Sequence, residues 1–136
     1  MTPTLIALIG FALWTIALTV LIGGTRAYIG RTTGKAPNTF AASGEDIGGF
    51  SQRLARAHAN CYENLPVVAA ILLSVQISGM HALSDPLAPW ILVARVLQSI
   101  VHLTSSSVPA VFIRFGFFVV QIGLLLLIAL RALAAS

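Results

Sequence analysis

The chain has 136 residues, of which 57% are hydrophobic and only 9% charged, whereas soluble domains run at about 25% charged. That balance excludes an ordinary soluble globular protein and points to a single integral membrane domain covering residues 1–136. The net charge of +4 rests on few groups, mostly Arg, with no basic run and no interleaved aromatics; nucleic-acid binding is excluded on that ground, and the basicity is read as membrane topology.

Residues 3–24 carry no charge. They are too long for the apolar region of a signal peptide and lack a basic leader, so they are expected to form a retained membrane helix. This helix runs on to about residue 31 and takes in Arg26 and Arg31. A Gly-, Thr- and Pro-rich loop follows, with Glu45 and Asp46 just before the second helix, where acids suit a helix N-terminus. The second helix is expected over about 50–78, with Pro66 kinking or loosening it. Residues 79–86 read as a turn. The third helix is placed at about 87–104, with Arg95, Gln98 and His102, and the fourth at about 110–131, with Arg114 and Gln121. With no strand alternation and no repeat, the predicted fold is an all-α, integral membrane four-helix bundle.

Arg26, Arg31 and Lys35 lie in or beside the first connection, Arg53 and Arg56 close behind, and the second connection holds no Lys or Arg. The positive-inside rule then puts the first and third connections in the cytoplasm. Cys61 is the only cysteine, which excludes an internal disulfide and a multi-cysteine metal site, and it reads as a small packing residue. His58, His81 and His102 are scattered, so no metal is expected.

Polar side chains recur at helical spacing in the second helix. Taking about 100° per residue from Arg53, Asn60 and Asn64 fall within about 20° of it, Arg56 and Glu63 lie to one side, and His58 and Tyr62 point elsewhere. Arg95, Gln98 and His102 share a face of the third helix, and Arg114 and Gln121 share one on the fourth. Ionisable groups at membrane depth are expensive and mark sites by default. Glu63 and Arg95 could form a structural ion pair across helices, with the amides as interhelical hydrogen-bond glue. The excess of Arg over nearby carboxylate instead suits an anionic ligand with several carboxylates, which guanidinium groups grip bidentately.

The string Arg56-Ala-His58-Ala-Asn60-Cys-Tyr-Glu63-Asn-Leu-Pro66, with Arg53 three positions upstream, resembles the second-helix motif of the MAPEG family, the membrane-associated proteins in eicosanoid and glutathione metabolism. Ala94-Arg95-Val96 resembles the family's third helix, and Pro109 through Arg114-Phe115 the start of its fourth. The resemblance covers essentially the whole chain. It implies a homotrimer that binds glutathione between subunits near the cytoplasmic face. Arg53, Arg56, Asn60, Glu63, Arg95 and Gln98 would hold glutathione as thiol co-substrate. Arg114 would stabilise its thiolate, and His102 would donate a hydrogen bond or act as a base, although a lone His in an apolar helix is more often structural. The synthases of the family place Tyr or His where Gln98 stands and Tyr where His102 stands.

The resulting expectation is a bacterial inner-membrane transferase or peroxidase acting on hydrophobic or lipid electrophiles, in the manner of detoxification. The rival expectations are a non-catalytic lipid- or glutathione-binding member of the family, and a small proton-coupled exporter with Glu63 as its exchangeable carboxylate. The Phe112, Phe115, Phe117 and Phe118 cluster is expected at lipid or subunit contacts, or as the floor of a hydrophobic groove.

Overall fold

The computed structural model of the chain describes residues 1–135, which form four long helices and one helical turn: α1 (Pro3–Thr33), α2 (Gly49–Ile77), α3 (His81–Ser84), α4 (Ala88–Thr104) and α5 (Val108–Ala135). No strand occurs among these residues. α1 starts at Thr2, whose side chain accepts a hydrogen bond from Leu5 N (3.3 Å), with Pro3 at the first helical position. It ends at Gly34, which takes the left-handed conformation at φ 74° that glycine adopts without strain, and whose N–H bonds to Gly30 O. α1 and α5 are long and apolar enough to cross a membrane, and α4 is a shorter apolar helix. α2 carries the polar stripe.

The distribution of residues inverts that of a soluble protein. Ile6, Leu13, Val20, Val119, Leu126 and Leu130 are exposed on the outer faces, while Arg95, Gln98, Ser99, His102 and Gln121 are buried. Large contiguous apolar surface of this kind belongs against lipid. α4 lies at the centre, packed against α1, α2 and α5. Phe11, Leu18, Leu54, Leu72, Ile91 and Ile128 make up much of the core. Cys61 is buried in it, with Sγ 3.5 Å from Ser99 Oγ.

Three local expectations change. Residues 79–86 contain α3 rather than a bare turn, because Ser84 and Asp85 are drawn onto the start of α1. Glu45 and Asp46 do not cap α2; they lie in a short 3-10 turn, and Gly48 precedes the helix without a side-chain cap. Asp46 instead accepts from Ala41 N (3.1 Å) and pairs with Lys35 (3.1 Å), while Arg26 Nη2 donates to Ala41 O (2.9 Å), so the loop is stapled to the end of α1. Gly44 is required there: at φ 71°, a Cβ would meet Ser51 O at 2.7 Å. Finally, α2 continues through Pro66 as one helix, with Pro66 exposed on its outer side.

At the opposite end of the bundle Asp85 Oδ1 accepts from Thr4 N (3.2 Å) and Thr4 Oγ1 (2.6 Å). The Thr4 hydroxyl bond and, less strongly, the Thr4 N–H hold this carboxyl below its ordinary value against the opposing effect of desolvation. A depressed folded pKa means stability present above the unfolded value, about 3.9, and lost as pH falls through the folded one. The melting temperature of the wild type should therefore exceed that of Asp85→Ala at about pH 7, and the gap should close below about pH 4. A gap that is constant down to about pH 3 would show that the carboxylate charge contributes nothing.

Candidate functional site

The end of the bundle where α1 and α4 finish and α2 and α5 begin gathers most of the chain's cationic groups, Arg95 and Arg131 lying elsewhere. The first turns of α2 bring Gly49, Gln52, Arg53 and Arg56 to one side of a cavity of about 170 Å³. The last turn of α4, the α4–α5 connection and α5 close it with His102, Ser106 and Arg114. No carboxylate lines this cavity. Arg53 Nε donates to Leu103 O (2.8 Å), so a cation also meets the carbonyl end of α4. Its Nη groups carry no hydrogen bond among the described residues, and Arg53 lines the cavity.

A second cavity of about 260 Å³ is lined by Asn60, Gln98, Val111, Arg114, Phe115 and Phe118. Arg114 borders both. The two cavities therefore meet at one residue: a polar, cationic one lined by Arg53, Arg56 and His102, and an aromatic one lined by Phe115 and Phe118 with Asn60 and Gln98. Their joint volume falls in the roughly 300–1,000 Å³ range of small-molecule sites. Three guanidinium groups around one small space repel one another, and an anion between them relieves that repulsion.

Arg95 is placed differently. It is 1% exposed and borders neither cavity. The Glu63–Arg95 ion pair is not formed. Arg95 Nη1 donates instead to Asn60 Oδ1 (2.6 Å) and Asn60 O (3.2 Å), and its guanidinium lies 5.1 Å over the Phe11 ring. Glu63 sits about 60° round α2 from Asn60, on the exposed surface. Among the described residues the ion pair present is Lys35–Asp46. Arg95 therefore acts on the site through Asn60, which also receives Asn64 Nδ2.

Gln98 and His102 are buried on the α4 face shared with Arg95. His102 borders the cationic cavity and Gln98 the aromatic one. His58 lies outside the site: its Nε2 is 2.9 Å from Thr19 Oγ1, and its ring packs on Tyr62. Of the phenylalanine cluster, Phe115 and Phe118 border the aromatic cavity, while Phe112 is 71% exposed. Gln52 and Ser106 were not anticipated, since isolated polar residues beside a helix start have no distinctive spacing. The interhelical hydrogen bonding expected of the amides is present between α5 and α4, where Gln121 Nε2 donates to Gln98 Oε1 (2.9 Å).

No group of three or more His, Cys, Asp or Glu able to hold a metal occurs among the described residues. Comparison with known proteins shows that the sequence profile of the MAPEG family matches residues 4–134. No curated protein matches, and no solved structure matches.

Proposed function

The chain belongs to the MAPEG family, membrane proteins of eicosanoid and glutathione metabolism, and on that basis we propose that it is a glutathione-dependent transferase or peroxidase acting on hydrophobic electrophiles. The observation that carries this reading is the cationic cavity of Arg53, Arg56, His102 and Arg114, which has no carboxylate of its own and shares Arg114 with an aromatic chamber. Glutathione brings two carboxylates for the guanidinium groups. Its thiol, with an ordinary pKa of about 8.5, is mostly protonated at neutral pH, and a guanidinium beside it favours the thiolate. In conjugation the thiolate sulfur forms a bond to the electrophilic carbon while the leaving group departs with its electron pair. The thiol proton goes to solvent or to His102. Val111, Phe115 and Phe118 suit an apolar substrate that enters from the lipid.

The proposed assembly is a homotrimer in a bacterial inner membrane, crossing it several times, with the cationic end in the cytoplasm. Glu63, exposed on a single chain, is assigned to the amino end of a glutathione shared with a neighbouring subunit. Glu63→Gln should weaken glutathione binding about tenfold, the loss of one charge-assisted hydrogen bond, as measured by calorimetry on the detergent-solubilised protein. An unchanged Kd would remove Glu63 from the site.

A second reading rests on a specific observation: no tyrosine hydroxyl borders either cavity, because Gln98 and His102 stand there. This favours a non-catalytic, ligand-presenting protein. Calorimetry with glutathione, followed by a conjugation assay with an aromatic halide, separates the readings. Saturable binding with turnover supports the enzyme, and binding without turnover supports the presenting protein. Neither, with proton-driven uptake into vesicles, supports an exporter built on Glu63.

A further inference from the structure

We propose that Gln121 and Arg95 are positioning residues which fix the polarity of two side-chain amides, so that the aromatic cavity offers only hydrogen-bond donors to its occupant. The inference rests on the glutathione reading above for the identity of the occupant, but the polarity itself is set by groups within the chain.

One relay begins at a backbone carbonyl. Phe117 O can only accept, and Gln121 Nε2 lies 3.0 Å from it, which settles which end of the Gln121 amide is the NH2. The same nitrogen is 2.9 Å from Gln98, so the Gln98 atom facing it is the acceptor, Oε1. Gln98 Nε2 must then point the other way, towards the cavity that Gln98 lines. Reversing Gln121 would set its oxygen against both Phe117 O and Gln98 Oε1. The observed orientation persists although it leaves Gln121 Oε1 buried without a partner.

The other relay begins at a cation. Arg95 has donors only, and its Nη1 lies 2.6 Å from Asn60 Oδ1. Asn64 Nδ2 adds a second donor to the same oxygen at 3.2 Å. Asn60 Nδ2 is thereby turned away from both, on a residue that lines the same cavity. Neither Asn60 Nδ2 nor Gln98 Nε2 has a hydrogen-bond partner among the described residues. Together with Arg114 they make a wall of donors between Val111, Phe115 and Phe118. Such a wall suits a thiolate, carboxylate or carbonyl, and opposes an ammonium group, which has no acceptor to meet there. Gln98 thus offers an anion the hydrogen bond that a tyrosine hydroxyl would give, provided Gln121 holds it.

The test uses full-length, detergent-solubilised protein labelled with ¹⁵N in its Asn and Gln side chains, titrated with glutathione. The Asn60 and Gln98 NH2 resonances are expected to shift with saturation. Gln121→Met should raise the glutathione Kd about tenfold, as for a hydrogen bond to a charged group, and should have no further effect in a Gln98→Met background. An unchanged Kd in Gln121→Met, or an equal loss in both backgrounds, would overturn the relay, because a purely structural role is independent of Gln98. If the wild type does not respond to glutathione, the functional reading fails, and amide exchange without ligand decides the relay. Faster exchange at Gln98 NH2 than at Gln121 NH2 upholds it, and the reverse order overturns it.

Discussion

Arg114→Ala is expected to lower turnover with an aromatic halide by about 100-fold or more, the usual effect of removing a group that stabilises developing negative charge, while glutathione Kd changes by less than about threefold. The reason is positional. Arg114 is the one residue that borders both the cationic and the aromatic cavities, and the proposed function assigns it to the sulfur, where the two halves of the reaction would join. The carboxylates of glutathione keep Arg53 and Arg56 in the variant. Without the guanidinium the bound thiol reverts towards its ordinary pKa of about 8.5, so the rate should recover partly as pH rises. Thiolate absorption in the ultraviolet, followed against pH with glutathione bound, measures this directly. Equal thiolate fractions in wild type and variant at neutral pH would remove Arg114 from the chemistry.

The largest stability effect is expected at Asn60. Arg95 is 1% exposed, its Nε has no partner, and Asn60 supplies both acceptors for its Nη1. Asn60→Leu removes the nearer one and leaves a buried cation under-satisfied, at a cost of about 2–4 kcal/mol. Arg95→Met should cost less, about 1–2 kcal/mol, because Asn64 still donates to Asn60 Oδ1 and a shape-matched apolar group replaces the charge. The double variant should then be more stable than Asn60→Leu alone, a sign that additivity would not produce. Chemical denaturation in detergent provides the comparison. A double variant less stable than either single one would show that the two residues are held by separate contacts.

Several features were legible before any coordinates, each for a reason of periodicity. Arg95, Gln98 and His102, three and seven residues apart, had to share a helix face, and all three are buried. Gln121, seven residues beyond Arg114, shares its side of α5 in the same way. Other features depended on how a helix is rotated about its own axis. One alternative paired Arg95 with Glu63, because both ionisable groups lie deep in their helices and need partners there. The rotation of α2 presents Asn60 to α4 and leaves Glu63 outside, because Leu54, Ala57, Cys61 and Val68 must face the core. Asp46 gave a helix-start signal, but Lys35 and Ala41 N offered it better partners in the loop.

Composition and spacing by themselves determined that this chain is helical and lipid-facing, and which polar side chains travel together on each helix. Both follow from local quantities, the transfer of apolar residues out of water and the repeat of about 3.6 residues per turn. Only the tertiary structure decided which polar face meets which: that Arg95 holds Asn60, that Gln121 holds Gln98, and that Arg114 stands between two cavities. Those matches depend on how closely and at what rotation the helices pack, which is set by the fit of the whole apolar core and is written in no single segment.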